Sequence, residues 1–421
     1  MERPATTLKS LIFDLYLQPN LLVIGFYLVI VTATFTAQQL LLAAYLDELG
    51  HILISGIILN AYYILWLVLG PICGTLSDLH GRKFLLIAGN WISCIGFFGL
   101  IISPEPLFLI LMNATIGVGS ALRVGSIIAL WVQHSPQDRV GESLAFNNIL
   151  LSIGGIGGGA LGFIMWLTIK ELSFIVFGIS LFLTAIPIIF VTDSGDYTPI
   201  SFDSVIGVLK EKPQQKFFVT RPIIQISIHW VAFSTIISFS TYIFPILEEV
   251  QRQGLWEQIP NEIPLPLLLI ILIASITSVF GGLIIWGRIS DAWSRKFVLI
   301  VGFLGSGFLL LLLGFLVSPI SNLVHIIEGL INGEIFSYLI LGILLLSIFT
   351  AISLIPTPMA WITDKVGQED LAKAMSLRNL SIGIGTIIGL FLGGFILGSF
   401  GIGGLLLVIL MLLIISAIIL L

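Results

Sequence analysis

Apolar runs of membrane-spanning length, broken by short polar segments, make up most of the chain. A helix needs about 20 apolar residues to cross a bilayer, so each run predicts one crossing. The first extends from Asn20 to Tyr45 and stops at Asp47 and Glu48. The next five run from Ile52 to Cys73, Phe84 to Ser103, Leu107 to Gln133, Ser143 to Thr168 and Phe174 to Val191. A polar stretch, 192–221, then carries Lys210, Lys212, Lys216 and Arg221. Six more runs follow: Pro222 to Leu247, Pro266 to Trp286, Phe297 to Val317, Phe336 to Ile362, Ala374 to Gly398 and Gly401 to Leu421. Pro, Gly or charge bounds each run, as expected of spanning helices. Residues 8–18 predict a short interfacial helix ahead of Pro19. The expected fold is an all-α integral membrane protein with twelve transmembrane helices. Its parts are a six-helix half (1–191), a cytoplasmic linker (192–221) and a second six-helix half (222–421).

Two internal repeats support the division into halves. Between the second and third runs stands Gly74-x-x-x-Asp78-x-x-Gly81-Arg82-Lys83. Between the eighth and ninth stands Gly287-x-x-x-Asp291-x-x-Ser294-Arg295-Lys296, with Ser294 in place of the second glycine. Both read as short charged loops and both continue into phenylalanine, Phe84 and Phe297. The fifth run contains Gly154, Gly158, Gly159 and Gly162, and the eleventh contains Gly385, Gly389, Gly393 and Gly394. Glycines four apart share one helix face and let two backbones approach closely.

The charged loop resembles the signature motif of the major facilitator superfamily, whose members are secondary transporters with two six-helix halves. The first copy keeps every main position of that motif. The resemblance implies that Asp78 faces the N-terminus of the eleventh helix, where free N–H groups attract a carboxylate. It implies the same of Asp291 and the fifth helix, with Arg82 and Arg295 holding or pairing carboxylates. Such contacts would form when the cytoplasmic side is closed and break as the halves rock. A positive anchor with no further role is the alternative. The fifth helix resembles the family's antiporter motif, but Gly159 stands where that motif has proline and Phe163 where it has its last glycine. Tight packing is therefore read beside helix bending.

Composition narrows the function. The 421 residues are 57% hydrophobic and 10% charged, which leaves no room for a soluble catalytic domain. The net charge of −5 matters less than where Lys and Arg fall. With the N-terminus in the cytoplasm, that side collects Arg82, Lys83, Arg139, Arg288, Arg295, Lys296, Lys365, Lys373 and Arg378 besides the linker cations. Only Lys170 and Arg252 fall on the other side, so both termini are expected in the cytoplasm. The expected setting is the plasma (inner) membrane. Cys73 and Cys94 read as reduced, and no cleavable leader is expected. Metal clusters, phosphate-binding loops and nucleic-acid patches do not appear in the sequence, and no cofactor is expected.

Arg123 is the one clear charge inside a span, near the middle of the fourth. A charge there is costly and raises a functional hypothesis. It reads either as a ligand for an anionic or carbonyl-bearing substrate, or as a cation paired at a helix end or snorkelling to lipid. In the family the usual arginine of this helix precedes a glycine by four residues, and that slot here is Asn113 before Gly117. Further candidates to line a cavity are Gln38, Gln39, Asn113, Tyr242 and Thr350. No Asp or Glu lies mid-span, and His229 reads as a hydrogen-bonded packing residue or a proton acceptor. The reading leans to export of a small solute by alternating access with protons as coupling ion, the chain acting as a monomer. Its alternative is uptake or facilitated transport of a small organic anion through Arg123. A transporter-like receptor or a membrane enzyme is the remote reading, since no catalytic cluster is present.

Overall fold

A computed structural model describes residues 18–135, 140–193, 221–242, 245–246, 285–286, 288–289, 292–317, 346 and 368–420. Nearly all of the expected eighth and tenth spans, of the interfacial helix and of the linker lies outside them. Among the described residues the secondary structure is helical, with no strand. The helices are α1 (Pro19–Glu48), α2 (Ile52–His80), α3 (Arg82–Gly99), α4 (Pro106–His134), α5 (Val140–Ile169) and α6 (Ser173–Ile188). After them come α7 (Arg221–Ser238), α8 (Arg295–Val317) and α9 (Gln368–Leu420). Within the described residues, five segments are long and apolar enough to cross a bilayer.

The helix ends follow from local sequence. Prolines open α1 and α4, where the missing N–H has no partner to lose. Gly81 has φ 107° and alone separates α2 from α3, a backbone state that suits glycine. Gly401 has φ 63° and breaks α9 into two arms, at the boundary expected between the eleventh and twelfth spans.

Contacts divide the chain into two compact units, Met1–His51 with Ile57–Gln214, and Ile52–Gly56 with Gln215–Leu421. In the first, α5 lies along α1, while α3 lies along α4 and also touches α6. The glycines explain the α1–α5 pairing. A Cβ on Gly154 would stand 2.6 Å from the Val29 carbonyl oxygen, and one on Gly162 would stand 3.0 Å from Ala37 Cα. One on Gly158 would collide with the Ala33 carbonyl. Gly159 points elsewhere, with only Leu40 nearby at 3.9 Å. Of the two readings of this stripe, packing is the one that the geometry displays.

The second unit repeats the arrangement. Gly385 and Gly389 on α9 sit against the carbonyls of Val231 and Thr235 on α7, and Gly393 sits on the Tyr242 ring. Its core joins Trp230 and Phe233 of α7, Leu299 and Phe303 of α8, and Ile396, Leu405, Ile409 and Leu413 from both arms of α9. Exposed apolar side chains such as Phe26, Trp91, Ile95 and Phe308 complete surfaces suited to lipid.

Gly158→Ala is expected to force α1 and α5 apart at a cost of about 1–3 kcal/mol, the usual range for overpacking. Gly157→Ala, whose Cβ meets nothing within 4 Å, is the control and should be neutral. Thermal unfolding of the two variants in detergent decides the matter, and equal midpoints would remove the packing role.

Candidate functional site

The motif from Gly74 to Lys83 does not form the loop expected from sequence. Helix α2 continues through Ser77 and Asp78 to His80, and α3 begins at Arg82. A single residue, Gly81, makes the turn because its positive φ reverses the chain without further residues. Gly74 lies within α2, and Gly125 of α4 approaches its Cα so closely that an added Cβ would stand 3.0 Å away.

The cations of the motif bind helix ends in the first unit. Arg82 Nη1 donates to Gln133 Oε1 at 3.1 Å and to the Ala129 carbonyl at 3.4 Å, in the last turns of α4. Lys83 Nζ donates to the carbonyls of Ile189 at 2.7 Å and Val191 at 3.2 Å, just past α6. Carbonyls at a helix C-terminus lack intrahelical partners and carry partial negative charge, so a cation suits them. The Lys83 backbone N–H, in the first turn of α3, donates to Asp193 Oδ2 at 3.0 Å, the complementary charge at an N-terminus. Neighbouring Thr192 accepts from Asn20 Nδ2 at 2.8 Å and bonds His134 Nε2 at 3.0 Å. Arg82 thus meets carbonyl and amide acceptors besides whatever carboxylate it holds. The Asp78 side chain lies outside the described residues, as do Gly287 and Asp291. Arg295 and Lys296 open α8, as Arg82 and Lys83 open α3.

Arg123 sits inside the first unit, 2% exposed. Its Nη2 donates to Ser120 Oγ at 2.9 Å, and its Nη1 reaches Asn90 Oδ1 at 3.3 Å and Ser93 Oγ at 3.5 Å. Its guanidinium carbon lies 4.0 Å from the centroid of the Phe35 ring, a cation–π contact. Asn90 Oδ1 also accepts from the Tyr27 hydroxyl at 2.8 Å, and Asn90 Nδ2 donates to the Leu181 carbonyl at 3.3 Å. Tyr62 shares a 2.9 Å hydrogen bond with Ser120. Among the described residues no carboxylate pairs with Arg123. The expected alternatives, pairing at a helix end or snorkelling to lipid, are therefore not what these contacts show; a neutral polar shell holds the charge.

Sequence reasoning found Arg123 but missed Tyr27, Phe35, Tyr62, Asn90, Ser93 and Ser120 around it. A signal was available: Asn90 and Ser93 fall on one face of an otherwise apolar run, and polar side chains within a span seek partners.

Three other candidates do come together. Gln39 Nε2 donates to Gln38 Oε1 at 2.7 Å, and Gln38 Nε2 donates to Asn113 Oδ1 at 2.9 Å. Asn113 Nδ2 then donates to the carbonyls of Ile58 at 2.8 Å and Leu59 at 3.2 Å. This chain ties α1, α2 and α4 to one another. Tyr242 belongs to the second unit, where its buried hydroxyl donates to the Leu390 carbonyl at 2.5 Å. Thr350 lies outside the described residues. His229 is 1% exposed, with its ring 5.1 Å from that of Phe303, and neither ring nitrogen has a hydrogen-bond partner among the described residues. The hydrogen bond expected of it as a packing residue is not seen there. Cys73 and Cys94 are free thiols.

Long apolar helices and a repeated charged motif mark a polytopic membrane protein, and the family it belongs to makes it a transporter rather than an enzyme. The profile of the Major Facilitator Superfamily matches residues 23–333 and 267–421, and the chain belongs to that family. A multi-drug resistance efflux pump, PmrA of Streptococcus pneumoniae, is 25% identical over 147 residues, which span 34% of this chain and 37% of the pump. The peptide transporter POT in complex with sulfate superposes with a TM-score of 0.68 at 14% identity, over 95% of this chain and 93% of that one. A bacterial homologue of the human lysosomal transporter Spinster, inward-facing and occupied, gives 0.65 at 12% identity, over 96% of each chain. The nucleoside transporter NupG gives 0.65 at 13% identity, over 96% of this chain and 98% of that one. At such identities the structural likeness speaks for the fold alone.

Asn90→Leu removes the acceptor shared by Tyr27 and Arg123, and is expected to cost about 1–3 kcal/mol, the range for stranding a buried donor. The check is the thermal midpoint against Trp91→Leu, an exposed position (48%) on the same helix, where little change is expected. A midpoint for Asn90→Leu no lower than that control would remove the shell's structural role.

Proposed function

We propose that this chain exports a small solute across the inner membrane by alternating access, with protons as the coupling ion and both termini in the cytoplasm. The observation that carries the export reading is the local similarity to the multi-drug resistance efflux pump. The motif at Gly74 to Lys83 supports a cytoplasmic gate. Its cations reach the ends of α4 and α6, and on this reading Asp78 makes a contact that opening would break. In the second copy, Asp291 takes the same role beside Arg295 and Lys296. The glycines of α5 pack against α1 and lend the antiport reading no bend, so proton coupling is the part of the proposal that the assay with a pH gradient decides.

A second reading is uptake or facilitated transport of a small organic anion through Arg123. What favours it is the buried guanidinium, which meets only neutral acceptors among the described residues.

Purified monomer in liposomes, with and without a pH gradient, tests both. Export predicts solute moving against a proton gradient, with Asp78→Asn lowering the rate on the order of tenfold, within the usual span of conformational coupling. Arg123→Ala leaves that movement intact. The anion reading predicts that an organic anion moves without a gradient and that Arg123→Ala abolishes it in folded protein. An Asp78→Asn variant with the wild-type rate would dismiss the gate.

A further inference from the structure

We propose that the first unit carries a site for aromatic anions, with Arg123, held between Phe35 and Ser120, binding the acidic group and the partly exposed rings of Tyr63 and Trp66 receiving the aromatic body. It names a substrate class for the second, anion reading above and rests on that reading only for the movement of the ligand.

The charge argues first. An unpaired ion in a protein interior costs several kcal/mol, and neutral acceptors offset it best at short range. Two of the three hydrogen bonds to Arg123 are long, at 3.3 Å and 3.5 Å. Only the bond to Ser120, at 2.9 Å, is of ordinary length. A carboxylate or sulfonate would supply the missing charge and match the planar fork of the guanidinium with two parallel bonds.

The rings argue next. Phe35, beneath the guanidinium, stacks on Tyr62 with centroids 5.9 Å apart. Tyr62 meets Tyr63 edge to face at 4.8 Å, and Tyr63 meets Trp66 edge to face at 6.4 Å. Helices α1 and α2 thus carry a continuous aromatic ladder that begins at the cation. Phe35, Tyr63 and Trp66 are each only partly buried. A ladder without Arg123 would favour organic cations, since ring faces attract positive charge. Arg123 already occupies the Phe35 face and repels a second cation, which reverses the preference. Tyr62 links the two parts, because its hydroxyl bonds the same Ser120 that serves Arg123. Opening that bond gives a ligand access to the guanidinium.

The test titrates the purified full-length chain in detergent with four probes: 2-naphthoate, its neutral amide, 2-naphthylmethylammonium and inorganic sulfate. The wild type is expected to bind 2-naphthoate roughly tenfold or more tighter than the amide or the amine, the scale of a buried charge contact. Sulfate, which has no ring, should bind more weakly than 2-naphthoate. Arg123→Gln should bring 2-naphthoate down to the level of the amide, Arg123→Lys should fall between, and Tyr63→Leu should weaken naphthoate while leaving sulfate unchanged. Equal affinity for 2-naphthoate and its amide in the wild type overturns the proposal without any variant, as does undiminished naphthoate binding by folded Arg123→Lys and Arg123→Gln. Sulfate binding as tightly as 2-naphthoate overturns the role of the rings. In liposomes, binding of 2-naphthoate without its movement upholds the site and refutes its part in transport. Movement of other solutes with no naphthoate binding refutes the site and leaves the transport reading standing.

Discussion

Close backbone contact between α1 and α5, and between α7 and α9, is the constraint on which the rest of each unit hangs. In hydrocarbon, apolar side chains gain nothing by leaving lipid for another helix, so helices associate through tight van der Waals packing and shared polar groups. Glycine provides the first. Gly154, Gly158 and Gly162 bring α5 down onto Val29, Ala33 and Ala37, and Gly385 and Gly389 do the same on Val231 and Thr235. With one face of α1 fixed in this way, its other faces have a set direction. Tyr27 and Phe35 then reach the shell of Arg123, and Gln38 reaches Asn113.

Charge at the helix ends around the motif does a different task. Helix termini leave carbonyls and N–H groups without partners, and in a bundle these ends meet where the chain turns. Arg82 and Lys83 meet the carbonyl ends of α4 and α6, while Asp193 meets the N–H end of α3. Thr192 adds a bond to Asn20, at the start of α1. The root of the linker is thereby joined to α1, α3 and α4 at once. The motif's cations thus have a structural task within one unit, besides any part they take in gating.

Much of the fold was legible because membrane spans are written in long apolar runs, and the described helices fall where those runs predict. The glycine stripe was legible as well, since spacing by four fixes a helix face without knowledge of the partner. What the sequence did not disclose was register between helices. Arg123 was plain as a charge in a span, yet its acceptors Asn90 and Ser93 belong to another helix, and which turn of α3 meets which turn of α4 is decided by contacts such as Gly89 against Gly119. The extent of α2 was misjudged for a local reason. Polar residues at Ser77 and Asp78 read as a loop, but this turn remains helical because Ser77 is buried against α4, accepting from Ser126 Oγ at 2.9 Å, and a single glycine turns the chain.

The two units keep the same packing and yet differ in chemistry. The residue two positions before Val29 is Tyr27, and the one two positions before Val231 is His229. Asn90 and Phe303 likewise hold one position relative to the motif arginines, Arg82 and Arg295. In the first unit this pair is a hydrogen bond that leads on to Arg123. In the second it is an imidazole against a phenyl ring, at the edge of an apolar cluster. The glycine faces require only small groups and bare carbonyls opposite them, so they place few demands on the next turn of the helix. A repeated scaffold can therefore hold its geometry while the residues beside the contact change. That freedom lets one unit hold a buried charge and the other a buried imidazole with no hydrogen-bond partner among the described residues.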